Sequence, residues 1–374
     1  MTTSLFVIQL VVISAVLFVV FRDAHRVMRL QLLAWLVLTT LICIRYGLVE
    51  QADFYSNDQR YYVSVVEAIV FDGVPLDVDW WLSASRIPYT MPAALLTLTG
   101  IAPILALKTV SLIYLLLTTR LLLTKIQGLN LRGSLGAVHI MAVGGIGIFF
   151  SSLALRETSM MFFAVAVFTN SSLSSRLMAL TMLTLLRPHL ATAILIGYLI
   201  VFVLRRNKAR NCKWSPIHAV YAMVLGPVIG YVLFSLGFQY QTGIANVFGH
   251  SFGLRPVARI ASNFVGLQFL TSYAESLEFS LSNLLLARLI FSETILIPLL
   301  LTTVALSTRR LGQLGQWTLW SFAIYVGLVT NTEFNSFRQN VPLMPIMGFV
   351  VFQYVQQRTV SQRVKFLKSS ETSS

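Results

Sequence analysis

Apolar residues along this chain fall into runs of membrane-crossing length, separated by short polar stretches rather than by the alternation of a half-buried sheet. The first two runs, residues 5–21 and 30–44, are followed by a polar stretch, residues 48–87. Five more follow at 89–107, 110–123, 135–150, 159–169 and 177–204. The last four are 216–237, 289–306, 319–329 and 341–354. A helix needs about 20 apolar residues to cross the hydrocarbon core. The pattern therefore predicts an all-α, polytopic transmembrane bundle of about eleven spans. It forms one integral membrane domain over residues 1–368, with a disordered polar tail at 369–374. The run 159–169 is short, so 135–150 and 159–169 either cross twice or form a re-entrant pair. Both arrangements keep the same parity.

Composition agrees with this layout. Of 374 residues, 56% are hydrophobic and 11% charged, and mean hydropathy is +0.76, which excludes a soluble globular chain. The two cysteines, Cys43 in an apolar run and Cys212 in a basic loop, exclude a disulfide framework. The five histidines are scattered with no partner at ligand spacing, so no metal site and no cofactor are expected.

The net charge of +14 changes the picture only through its distribution. Half of the Lys and Arg residues fall at Arg22, Arg26, Arg29, then Arg205 to Lys213, Arg309, Arg310, and Arg358 to Lys368. These short basic loops belong in the cytoplasm beside anionic lipid. Residues 48–87 carry seven of the fourteen acids against Arg60 and Arg86 alone, which marks them as external, with loops 238–288 and 331–340. The N-terminus is expected outside and the C-terminus inside a plasma (inner) membrane. The basic residues lack an aromatic stacking platform, so nucleic acid is not a partner.

Four polar clusters beside apolar runs are candidate chemistry, because ionisable groups at membrane depth are expensive unless paired or hydrated. Asp53, Asp58, Arg60, Tyr61 and Tyr62 group carboxylates with aromatic rings, a combination that suits a polyhydroxylated ligand; a hydrated turn is the plainer reading. The stretch 61–71 reads either as an interfacial helix or as packed loop. Arg156 and Glu157 are adjacent and need separate partners. A guanidinium there can hold a phosphate or diphosphate bidentately, although a helix-end charge pair explains them equally well. Arg187, Pro188 and His189 interrupt the longest run: proline breaks the hydrogen-bond ladder, and by position Arg187 falls in mid-span, where packing does not explain it. His189 is a proton carrier, a diphosphate donor or a structural group. Glu333 and Arg338 stand in a polar turn before the last span.

In order, the stretch with Asp58, Tyr61 and Tyr62, the triplet Leu155-Arg156-Glu157 opening an apolar helix, Arg187-Pro188-His189 with Ala193, and Arg338 before a Pro-containing last span resemble the membrane oligosaccharide polymerases of bacterial exopolysaccharide and O-antigen pathways. That family is related to GT-C-type glycosyltransferases. The resemblance implies transfer of a glycan from a polyprenyl-(di)phosphate donor to an acceptor sugar on the outer face of the membrane. The implied partners are that donor, a glycan acceptor, membrane lipids and polysaccharide-assembly proteins. It also implies Arg156, Arg187 and Arg338 around the leaving diphosphate, and Asp58 as general base. Asp53 and Asp58 stand five residues apart, without the adjacent acidic pair of GT-C enzymes. The alternative is a transporter or flippase of a lipid-linked or anionic substrate, which also uses intramembrane arginines.

Overall fold

The computed structural model describes residues 57–72, 80–81, 85–128, 147, 150–151, 154–206, 214–234, 260–261, 264, 296–308, 311–330 and 340–371. The predicted spans 5–21 and 30–44, and nearly all of 135–150 and of loop 238–288, lie outside the described residues, as do Asp53, Glu333 and Arg338. Every regular element among the described residues is helical. These are α1 (Asn57–Glu67), α2 (Ile87–Thr97), α3 (Pro103–Gly128), α4 (Glu157–Thr169), α5 (Leu173–Leu186), α6 (Pro188–Arg206), α7 (Pro216–Leu233), α8 (Leu296–Ser307), α9 (Gln313–Thr330) and α10 (Met344–Glu371). Three stretches are long and apolar enough to cross a membrane: Pro103–Lys125, Pro188–Arg206 and Pro216–Leu233. The described residues are thus all-helical, and these three apolar helices mark a membrane protein.

Proline and glycine set the helix boundaries and move several of them. The runs 89–107 and 110–123 divide between Thr97 and Pro103: Gly100 takes the left-handed conformation (φ 92), and Pro103 opens α3, where its missing N–H is harmless. α2 is therefore only about 16 Å long, short of the ~30 Å core. The last predicted span begins as a single 3-10 turn, Val341–Leu343. α10 then continues to Glu371, three residues into the stretch read as a disordered tail.

The largest difference concerns the run 177–204. It is two helices, because Pro188 cannot donate to the ladder and Arg187 is extended (φ −158, ψ 91) between α5 and α6. α6 alone is about 28 Å long and crosses by itself. Arg187 consequently stands at one end of a span and not at its middle, and the expectation of a mid-span arginine is corrected.

α4 and α5, at about 20 Å each, are too short to cross, and they form a hairpin. α4 leads from Arg156 to Phe168, whose ring lies 4.3 Å from that of Trp317 in the first turn or so of α9. α5 brings the chain back until Leu186 O accepts from Arg156 at 2.7 Å. A short helical pair thus occupies 157–186; nearly all of 135–150, the other half of the re-entrant pair considered from the apolar runs, lies outside the described residues.

α9 is the centre of the packing, with Phe322, Ala323, Ile324, Tyr325, Val326 and Leu328 all fully buried. α6 crosses it through the Trp317 Nε1 to Ile194 O hydrogen bond at 2.8 Å. On α7, Ile217, Val220, Tyr221, Val224, Leu225, Val228 and Val232 are exposed, whereas Ala219, Ala222, Gly226 and Gly230 face inward. Apolar bulk outside and small residues inside are what a lipid-facing helix with close neighbours requires. At one end of the bundle Arg205 donates to Gln313 Oε1 at 2.9 Å, and Trp214 Nε1 to Ala305 O at 3.2 Å. The segments flanking the basic clusters at 205–213 and 309–310 thus meet at one end, opposite Arg187. α1 is packed against α2 and α3 with Tyr62, Val65 and Val66 buried. Residues 61–71 are helical, as the first of the two readings had it, and not loop, but Tyr62, Val65 and Val66 are packed inward while Tyr61 and Phe71 stay exposed.

Candidate functional site

The break at Arg187 leaves the last carbonyls of α5, among them those of Leu185 and Leu186, and the negative end of its dipole in need of donors. Two arginines from distant parts of the chain answer this need. Arg156 donates to Leu186 O at 2.7 Å, and Arg86 reaches Leu185 O at 3.4 Å. Arg187 itself lies with its Cζ 5.8 Å from the ring centre of Tyr325 on α9. Three guanidiniums therefore converge where α5 ends and α6 begins, and all three are half-buried, so they remain reachable from outside the core.

Each is held by local structure. Arg86 precedes α2 with φ 51 and ψ 46, the only non-glycine among the described residues with positive φ. That conformation is strained for a side-chain-bearing residue and is retained only where the surroundings enforce it. The enforcing contacts are visible: Thr90 Oγ1 donates to Ser85 O at 2.6 Å, and Tyr114 OH donates to Pro88 O at 2.5 Å. Arg156 precedes α4. Its neighbour Leu155 is tied to α3 through Ser111 Oγ, at 3.1 Å from Leu155 O, and Ser111 in turn meets Tyr89 OH at 3.1 Å. One hydroxyl chain therefore fixes the starts of α2 and α4 to the middle of α3.

Like charges this close oppose one another. Burial, and then the Arg156 guanidinium, pull the Arg86 pKa down to about 10. Arg86 is still charged at neutral pH, but its cationic form is disfavoured in the fold. A base whose folded pKa is lowered weakens the fold while it is protonated; the penalty is present at neutral pH and is relieved as pH rises from about 10 toward its ordinary value. A bound anion would relieve it as well. Arg86→Gln is accordingly expected to raise the melting temperature of the anion-free protein and to shrink the further rise on adding inorganic pyrophosphate; thermal melts of the detergent-solubilised chain read both. A lower anion-free melting temperature would show that Arg86 is a structural cap.

Of the residues singled out by sequence, the structure brings Arg156, Arg187 and His189 to this place, with Glu157 buried in the first turn of α4 at 1% exposure. An acid in a first helical turn complements the dipole. His189 is half-buried in the first turn of α6, its ring 6.2 Å from Phe234. Tyr62 packs edge-on against Tyr89 at 5.4 Å, and Tyr61 against Tyr62 at 5.6 Å, so both sit on the Arg86 side. Asp58 and Arg60 are exposed on the first turn of α1. Asp58 shares a face with Tyr61 and Tyr62 at helical spacing.

Arg86 and Tyr325 were missed by the sequence reading. The signal for Arg86 was an arginine directly before a proline-initiated apolar helix. Tyr325 had none, since a tyrosine inside an apolar run resembles core. Among the described residues no three His, Cys, Asp or Glu side chains gather as metal ligands would. No family model, curated protein or solved structure matches the chain. The site is thus defined by its own geometry, as a cluster of three arginines at a helix break.

Proposed function

We propose that the protein is a plasma-membrane glycosyltransferase or polysaccharide polymerase that transfers a glycan from a polyprenyl-(di)phosphate donor to an acceptor sugar at the outer face. The supporting observation is the convergence of Arg86, Arg156 and Arg187 at the α5/α6 break, at the end of α6 opposite Arg205. With the basic cluster at 205–213 in the cytoplasm, that end faces out; eleven full crossings would put Arg156 on the cytoplasmic side, and the short α4–α5 hairpin removes that conflict.

In this reading the acceptor hydroxyl attacks the anomeric carbon, the bond from that carbon to the diphosphate oxygen breaks, and the proton passes to a base. Charge develops on the departing diphosphate. Fixed guanidiniums aimed there stabilise the transition state more than the ground state. The N-terminus of α6 adds a dipole of the same sense. Asp58 takes the proton, Tyr61 and Tyr62 pack on sugar, and His189 supplies a hydrogen bond to the diphosphate. In this reading Asp53, Arg60, Glu157, Glu333 and Arg338 are the further substrate-binding residues.

One observation favours a second reading, a transporter or flippase: helices interrupted near bound anions also build transport sites. Deletion of the gene, followed by complementation with wild type and with Asp58→Asn, separates the two. A polymerase predicts that the deletion leaves single lipid-linked repeats on the outer face. Wild type then restores long chains and Asp58→Asn, at equal membrane level, does not. Lipid-linked repeats confined to the cytoplasmic face would overturn the polymerase and favour transport.

A further inference from the structure

Buried hydrogen-bonding groups in folded proteins almost always have partners, so the exceptions indicate either close packing or an absent ligand. On α9 three such atoms lack a partner among the described residues: Trp320 Nε1, Ser321 Oγ and Tyr325 OH. Ser321 has an explanation in packing, since it lies where α6 crosses and Gly197 comes so near that a Cβ there would collide with it. Tyr325 has no such explanation. Its ring sits beneath the Arg187 guanidinium, and its hydroxyl is within electrostatic range of Arg187, Arg156 and Glu157.

Two further buried atoms without a partner stand on the α4 side, Arg156 Nε and Thr158 Oγ1. Phenol, guanidinium Nε–H and threonine hydroxyl can all donate, and none of the three has an acceptor among the described residues. Three guanidiniums face the single Glu157 carboxylate here, and the net positive charge that remains suits a further oxygen carrying negative charge. A neutral donor suits this position, because a fourth cation would add to the repulsion among Arg86, Arg156 and Arg187.

Building on the anion-site reading above, we propose that Tyr325 is a ligand of the diphosphate, donating its phenolic hydrogen to a non-bridging phosphoryl oxygen that Arg156 and Arg187 also hold. Free pyrophosphate and a lipid diphosphate present the same oxygens. The two differ in the lipid, which only the second carries.

The test uses the full chain in nanodiscs. Inorganic pyrophosphate is titrated calorimetrically in one arm; in the other, thermal melts compare nanodiscs with and without polyprenyl diphosphate. Tyr325→Phe keeps the ring under Arg187 and removes one oxygen. Loss of a hydrogen bond to a charged group predicts affinity lower by about tenfold or more. Removing a buried hydroxyl with no protein partner predicts an anion-free melting temperature no lower than wild type. Ser321→Ala, one turn away, should bind as wild type does. If Tyr325→Phe binds normally while Arg187→Ala does not, the tyrosine assignment fails and the anion site survives. A lower anion-free melting temperature for Tyr325→Phe also overturns it, by revealing a protein partner. If wild type binds neither probe, or Arg156→Ala and Arg187→Ala bind as well as wild type, the anion site falls and Tyr325 falls with it. Binding in the lipid arm alone identifies the headgroup as the source of the diphosphate.

Discussion

Arg187→Ala is expected to lower glycan chain extension by about a hundredfold or more, with the protein present in the membrane at its normal level. Removing one preorganised donor from a site of developing negative charge typically has an effect of about 10²–10³ in rate. The backbone should tolerate the change, because φ −158 and ψ 91 are extended values that alanine adopts freely. Arg187→Lys should recover activity only in part: an ammonium keeps the charge but not the planar fork that grips two phosphoryl oxygens. The measurement is the length distribution of surface glycan in a complemented deletion strain, with immunoblotting of the membrane fraction. Chains of wild-type length from Arg187→Ala would leave the three-arginine cluster a structural cap on α5.

Gly327→Leu should act at the opposite level, on folding. α7 and α9 meet backbone to backbone: a Cβ at Gly327 would lie 2.7 Å from Pro227 C and would overlap Pro227 O, and one at Gly230 would lie 2.7 Å from Leu328 N. Overpacking of side chains costs about 1–3 kcal/mol. Here the obstacle is main chain on both sides, so a loss of at least about 3 kcal/mol is expected, by analogy with the upper end of that range. The readout is the melting temperature of the purified protein and its yield in the membrane fraction. Gly312→Ala is the matched control, because nothing lies within 4 Å of a Cβ there. Equal loss from both variants would mean that the close approach of α7 to α9 is not what makes Gly327 sensitive.

Arg187 and Gly327 illustrate how differently two residues can be read. An arginine in an apolar run is visible from its desolvation cost alone, and Arg156 is visible in the same way. Gly327 is invisible, since a glycine in a membrane helix is common and its meaning depends on which neighbour approaches. Pro188 announced an interruption, but proline signals a kink and a full break equally well. Only the extended Arg187 between two complete helices decides for the break, and that decision moves the arginine from mid-span to an end. Gly100 and Pro103 carried the α2/α3 boundary in plain form, but the apolar residues around them hid it.

Hydropathy by itself determined that the chain is helical and membrane-embedded, because a polypeptide this apolar must satisfy its backbone internally. The charge asymmetry groups the basic loops on one side, and the ends flanking 205–213 and 309–310 do meet. Sequence could not assign faces, because a helix with lipid on one side and protein on the other is apolar on both. The inward side is marked only by close fit, as at Gly226 and Gly230. The tertiary structure alone decided the company of the arginines. Arg86, Arg156 and Arg187 are separated by 70 and 31 residues along the chain, and no local periodicity links them. They meet because the α4–α5 hairpin returns to its starting level and offers the carbonyls of Leu185 and Leu186 as common acceptors.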